Sequence, residues 1–162
     1  MGVGPNILLN PNFDSDLSNW DILTVGMGTV TWQSPGEVRL YGNTAPGQEQ
    51  TIARCTQLHT VDAFSDYRMS FEVVTPATSV YYSKIISATY HLSEFGYFEH
   101  TADTAGTFTY EFTTGASTNL YAYIATSAYS ASFPRTDTLV VDNMSIQKIL
   151  PTTFTPQISI FQ

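Results

Sequence analysis

Apolar residues in this chain recur at every second position, and that period decides what the chain can fold into. Tyr67, Met69, Phe71 and Val73 alternate with Arg68, Ser70, Glu72 and Val74, and Phe108, Tyr110 and Phe112 alternate with Thr109 and Glu111. Val38 and Leu40 stand against Arg39 and Tyr41, and Leu120, Ala122 and Ile124 against Tyr121 and Tyr123. A period of two places one set of side chains on each face of a strand, the mark of a half-buried sheet. Turn signals separate the runs at Asn10-Pro11, Ser34-Pro35-Gly36, Pro46-Gly47, Thr75-Pro76, Ala105-Gly106 and Thr114-Gly115. No stretch carries a convincing helical period, and a parallel sheet would need crossover helices. About ten short strands are therefore expected in an all-β antiparallel sandwich of jelly-roll type, with Trp20, Leu40, Phe71, Phe112 and Ile124 in its core.

The 162 residues suffice for one domain with a full core. After Lys148 the sequence I-L-P-T-T-F-T-P-Q-I-S-I-F-Q is broken by Pro151 and Pro156, so a sandwich over 1–149 followed by a C-terminal arm over 150–162 is expected. Charged residues are 12% of the chain and the net charge is -8. Nucleic acid is not an expected partner, because contact with phosphates needs a basic stripe. No run approaches a membrane span. Cys55 is the one cysteine and is expected to pack as a small apolar residue. The opening M-G-V-G-P-N has no charged or apolar leader pattern, which predicts synthesis without a secretion signal.

Two segments carry a family resemblance. One is N-I-L-L-N-P-N-F-D-S-D-L-S-N-W, Asn6 to Trp20, and the other is V-V-D-N-M-S-I-Q, Val140 to Gln147. With these segments bracketing it, the chain resembles carbohydrate-binding modules of the family 4, 9 and 22 type, galactose-binding-like jelly rolls, over about Asn6 to Ile149. The resemblance implies glycan binding without catalysis. It also implies a structural Ca2+ held by Asp14 and Asp142 together with backbone carbonyls, since Ca2+ takes six to eight oxygen ligands. The alternative is that Asp14 serves a turn, Asp142 accepts from backbone amides, and the two never meet.

If Leu120, Ala122 and Ile124 face the core, the pleat sends Tyr121 and Tyr123 out together. Paired outward aromatics suit the apolar face of a sugar ring, with polar groups beside them for its hydroxyls. In the modules that the chain resembles, this late strand lines the ligand cleft beside the strand that follows mid-chain. That implies some of Tyr81, Tyr82, Lys84, Thr89 and Tyr90, with Gln50 and Arg54 as polar neighbours. The parity of the second strand is open, because Ile85 and Ile86 are adjacent. The competing reading makes these tyrosines strand formers at a subunit contact or over a half-buried sheet.

The run H-L-S-E-F-G-Y-F-E-H, His91 to His100, holds two His and two Glu, but its spacing matches no zinc signature. It is expected to be a hairpin or loop with solvated polar side chains. No nucleophile elbow, phosphate loop or dinucleotide fingerprint is present, so no catalytic residues are assigned. Two readings remain. The chain is a virion-surface protein of a phage (decoration, spike or tail) with glycan affinity, its arm holding other virion proteins or further copies in a homo-oligomer. Alternatively, it is the binding module of a secreted glycoside hydrolase.

Overall fold

The computed structural model describes residues 2–44, 50–80, 82–90, 96–129 and 135–151. Tyr81, Glu94 and nearly all of the expected arm lie outside them. The described residues form eleven strands and no helix, in accord with the alternation: β1 (Gly2–Asn6), β2 (Asp21–Val25), β3 (Thr29–Gln33), β4 (Glu37–Thr44), β5 (Gln50–Thr60), β6 (Asp66–Thr75), β7 (Ser83–Thr89), β8 (Gly96–Thr101), β9 (Gly106–Thr113), β10 (Asn119–Tyr129) and β11 (Arg135–Leu150). One sheet runs β3-β4-β11-β6-β9, with β1 also paired to β11; the other runs β2-β5-β10-β7-β8. Every pairing is antiparallel.

The core lies between the sheets. From the first come Val38, Leu40, Met69, Phe71, Leu139, Val141 and Ile146, and from the second Ala53, Cys55, Ile86, Leu120, Ala122 and Ile124, none of them exposed. Trp20 and Phe112 are buried as well, so all five expected core residues are in place. Each large aliphatic buried in this way stabilises the fold by about 1.5–3 kcal/mol. Cys55 is sealed in this layer, and burial pushes its thiol pKa up.

The first segment of the resemblance joins the two sheets. Asn6 stands opposite Gln147 in the β1–β11 ladder. Its side chain accepts from the amides of Leu8 at 3.2 Å and Ile146 at 2.9 Å, and donates to the Met144 carbonyl at 3.2 Å. The chain then crosses to the other sheet, where Gln57 of β5 accepts from the Leu9 amide at 2.7 Å and donates to the Leu9 and Asn19 carbonyls at 2.8 and 3.0 Å. Phe13, fully buried, packs against Trp20 with ring centroids 5.2 Å apart. The sequence N-P-N-F-D thus builds a loop whose polar groups are met locally and whose aromatic rings plug that end of the core.

The two lateral seams of the sandwich differ. Where β8 meets β9, aromatic rings close the gap: Phe98 on Tyr110 at 4.8 Å, Tyr97 on Phe112 at 5.5 Å, and His100 on Phe108 at 4.1 Å. Where β2 meets β3, Ile22 and Trp32 remain 43% and 39% exposed.

Candidate functional site

β10 is the middle strand of the five-stranded sheet, so its outward side chains have neighbours on both sides. Tyr121 lies between Leu58 of β5 and Thr89 of β7, and Tyr123 lies between Thr56 and Ser87. Ala125 follows between Arg54 and Ile85. Directly opposed residues share a face, so these side chains lie on the outer side of the sheet, where Tyr121 and Tyr123 are half-buried and Thr56, Ser87, Thr89 and Ala125 are covered. β8 adds Glu99, opposite Ser87.

On this face the Arg54 guanidinium sits 5.8 Å from the centre of the Tyr123 ring. Cations over an aromatic face are attracted by the ring's quadrupole, which holds the arginine along the sheet. Nε of Arg54 is buried and has no hydrogen-bond partner among the described residues. Arg54 and Glu99 stand on opposite sides of Tyr123 and balance each other in charge. The hollow between Ile85, Ser87, Thr89, Gly96, Phe98, Glu99 and Tyr123 measures only about 10 Å³. That is room for one water, which makes the face an open platform rather than a pocket.

The remaining expected ligand residues are dispersed. Gln50 opens β5 with the same parity as Arg54, half-buried at the far end of the strand. Tyr90 follows β7, 41% exposed, its ring 5.6 Å from Tyr97, beside a hollow of about 150 Å³ bounded by Gly115, Ala116 and Ser117. Tyr82 and Lys84 are not on the platform. The parity left open by Ile85 and Ile86 resolves with Lys84, Ile86 and Ala88 inward and Ile85, Ser87 and Thr89 outward. Lys84 is 8% exposed and donates to the Ser79 carbonyl at 3.2 Å. Tyr82 is 4% exposed, and its hydroxyl pairs with Thr44 Oγ1 at 2.6 Å. Its ring packs so closely on Gly42 that a Cβ there would lie 2.3 Å from it.

For the His91 to His100 run the sequence predicts a hairpin or loop with solvated polar side chains; residues 91–95 lie outside the described residues, and β8 does pair antiparallel with β7, but one side chain departs from the expectation. The second half of the run is strand β8, and His100 is buried between the sheets rather than solvated. Nδ1 of His100 pairs with the Tyr110 hydroxyl at 2.7 Å, Nε2 has no partner among the described residues, and the ring packs on Phe71 and Phe108. Desolvation lowers its pKa, opposed by the nearby Asp103 charge. Period two places His100 inward and Glu99 outward, so the two cannot act together.

Asp14 and Asp142 come near enough to interact. Burial raises the Asp142 pKa, the Asn143 amide at 2.6 Å lowers it, and the charges of Glu72 and Asp14 raise it further. A bulge in β11 turns Asn143 to φ 52°, where its side chain donates to Glu72 at 2.9 Å. The Asp14 amide donates to Asn10 Oδ1 at 3.1 Å. This corner concentrates negative charge and so fits a cation in sign. Among the described residues, however, no three His, Cys, Asp or Glu side chains gather as a ligand set.

No protein-family model matches the sequence, and no curated protein matches it. Solved structures do match in fold. A family 4 carbohydrate-binding module is 16% identical with a TM-score of 0.56, over 87% of this chain and 99% of that one. A family 61 module in complex with β-1,4-galactotriose is 13% identical with a TM-score of 0.54, over 90% and 100%. The enzymatically active domain of bacteriophage CBA120 tailspike protein 4 is 14% identical with a TM-score of 0.61; 89% of this chain spans 21% of that one. The chain has the jelly-roll fold of carbohydrate-binding modules.

Proposed function

We propose that the protein binds a glycan on the outer face of its five-stranded sheet and catalyses no reaction there. The observation that carries this reading is the Tyr121–Tyr123 pair on the central strand, with Arg54 and Glu99 on either side of it. A sugar ring lies flat on a tyrosine face, with the Arg54 and Glu99 side chains beside it to donate to and accept from its hydroxyls. With one cation and one anion beside the rings, the platform suits a neutral glycan. Its shallowness suits an extended chain of several residues, each contributing a little.

Glycan-array binding or gel retardation in soluble polysaccharide tests this. The double variant Tyr121→Ala/Tyr123→Ala is expected to lose retardation while keeping its circular dichroism spectrum and melting temperature. Binding retained by the folded double variant would place the glycan elsewhere, with the Tyr90–Tyr97 hollow next to be tested.

For the setting in which the face works, we favour display on a phage particle, since a phage tailspike carries this fold in one part of its chain. The segment after Pro151, rich in Phe and Ile, would then make the attachment to other virion proteins. The alternative is a module of a secreted glycoside hydrolase. Mass spectrometry of purified particles, as against the culture medium of a host, separates them. Within the same proposal, Asp14 and Asp142 hold a Ca2+ that acts on stability alone, being far from the tyrosine face in the strand order.

A further inference from the structure

The β2–β3 seam gathers several exposed apolar side chains in one place. Ile22 stands opposite Cys55, and Trp32 opposite Val38, both partners fully buried. Ile22 and Trp32 therefore have core parity, yet they stay 43% and 39% exposed. Leu23 and Val25, on the other face of β2, are 37% and 36% exposed, and Met27 in the turn is 46% exposed. Every residue of β2 is exposed. From Ile22 to Gly36 no side chain is charged, although the chain carries a net charge of -8. Edge strands are commonly guarded by lysine, proline or a bulge, and β2 has none of these; its ladder to β5 runs unbroken from Asp21 to Val25.

We propose that β2 is a dimerisation edge, joining antiparallel to β2 of a second copy across a twofold axis. The five-stranded sheet then becomes a continuous sheet of ten. A second copy fits this edge for three reasons. An antiparallel edge is complementary to itself, since one row of amides and carbonyls serves both strands under a twofold. Two copies with the same net charge repel, and they approach at least cost where charge is sparse, which on β2 means Asp21 alone. Pairing centred on Leu23 sets Asp21 of each copy opposite Val25 of the other, so no like charges are opposed. The axis stands normal to the sheet and keeps both outer faces on one side. On the glycan reading above, that makes the dimer bivalent toward a single polymer.

The test is sedimentation equilibrium of the full chain, with and without Leu23→Lys. The wild type is expected at twice 17.9 kDa, and Leu23→Lys at a single chain mass with an unchanged circular dichroism spectrum. As a check independent of that fold, Leu23→Cys is expected to form a covalent dimer on oxidation, because Cys55 is sealed in the core and does not compete. Three results would each overturn the proposal: a wild type of single chain mass at its highest soluble concentration, a dimer left intact by Leu23→Lys, or a dimeric Leu23→Cys chain that oxidation does not link. None of these measurements uses a sugar, so their failure is separate from failure of the glycan reading.

Discussion

His100 shows how one residue can be read wrongly and still matter. Its neighbours in sequence are polar and aromatic by turns, which suits a solvated loop as well as a strand. Only the register of β8 on β7 tells which side faces in. Once inside, with Phe71, Phe108 and the Tyr110 hydroxyl around it, the imidazole has its pKa lowered by desolvation, and the Asp103 charge opposes that shift. Its folded pKa lies below the ordinary 6.5, so the unfolded chain takes up a proton first as the pH falls. The stability it contributes is complete above that ordinary value and is lost as the pH drops through the lowered folded one. His59, which is also lowered by burial, adds in the same direction. Urea denaturation at neutral pH and at about pH 5.5 checks this. The wild type is expected to lose stability between them, and His100→Gln to lose less; an equal loss in both would remove His100 from the account.

At the scale of elements, strand existence and facing were legible from alternation alone, because side chains on a pleat must alternate whatever the fold. That logic holds for β4, β6, β9 and β10, and it set Tyr121 and Tyr123 outward. It stopped at β7, where Ile85 and Ile86 offer no alternation and parity is set by pairing to β10. Tyr82 and Lys84 fell on the inner side for that reason, while Thr56, Ser87 and Glu99 joined the platform unannounced. Partners across a sheet are set by register, which a single sequence does not display. Gln57 is a second case, a polar residue at an inward position of β5 that holds the crossing loop by three hydrogen bonds. Replacement of Gln57 by Leu strands the Leu9 and Asn19 backbone groups and is expected to cost about 2 kcal/mol. In a domain of this size that is a fall of roughly 4–8 °C in melting temperature, measurable by calorimetry. An unchanged midpoint would mean that water replaces the amide without loss.

For the whole molecule, the acidic corner lies where the first loop meets the last strand. If Ca2+ bridges Asp14 and Asp142, free ion at a hundred times its dissociation constant adds about 2.7 kcal/mol. Chelator is then expected to lower the melting temperature of the wild type and to leave Asp142→Asn unmoved. The same midpoint in both proteins, with and without chelator, would leave the corner as a set of turn and bulge hydrogen bonds.

The two ends of the sandwich are rungs of one ladder, Gly2 beside Leu150. Residues paired in that way have Cα atoms about 4.5–5.5 Å apart, so the chain enters and leaves the domain at a single point. A load drawn through both flanks does not stretch the sandwich along its strands. It peels β1 from β11 one rung at a time, as a zipper opens, and the nine described strands other than these two carry no load until that strip is gone. Held in optical tweezers by its termini, the domain should yield first by a short extension at low force; a single high-force rupture would show that β1 is not the first piece to leave.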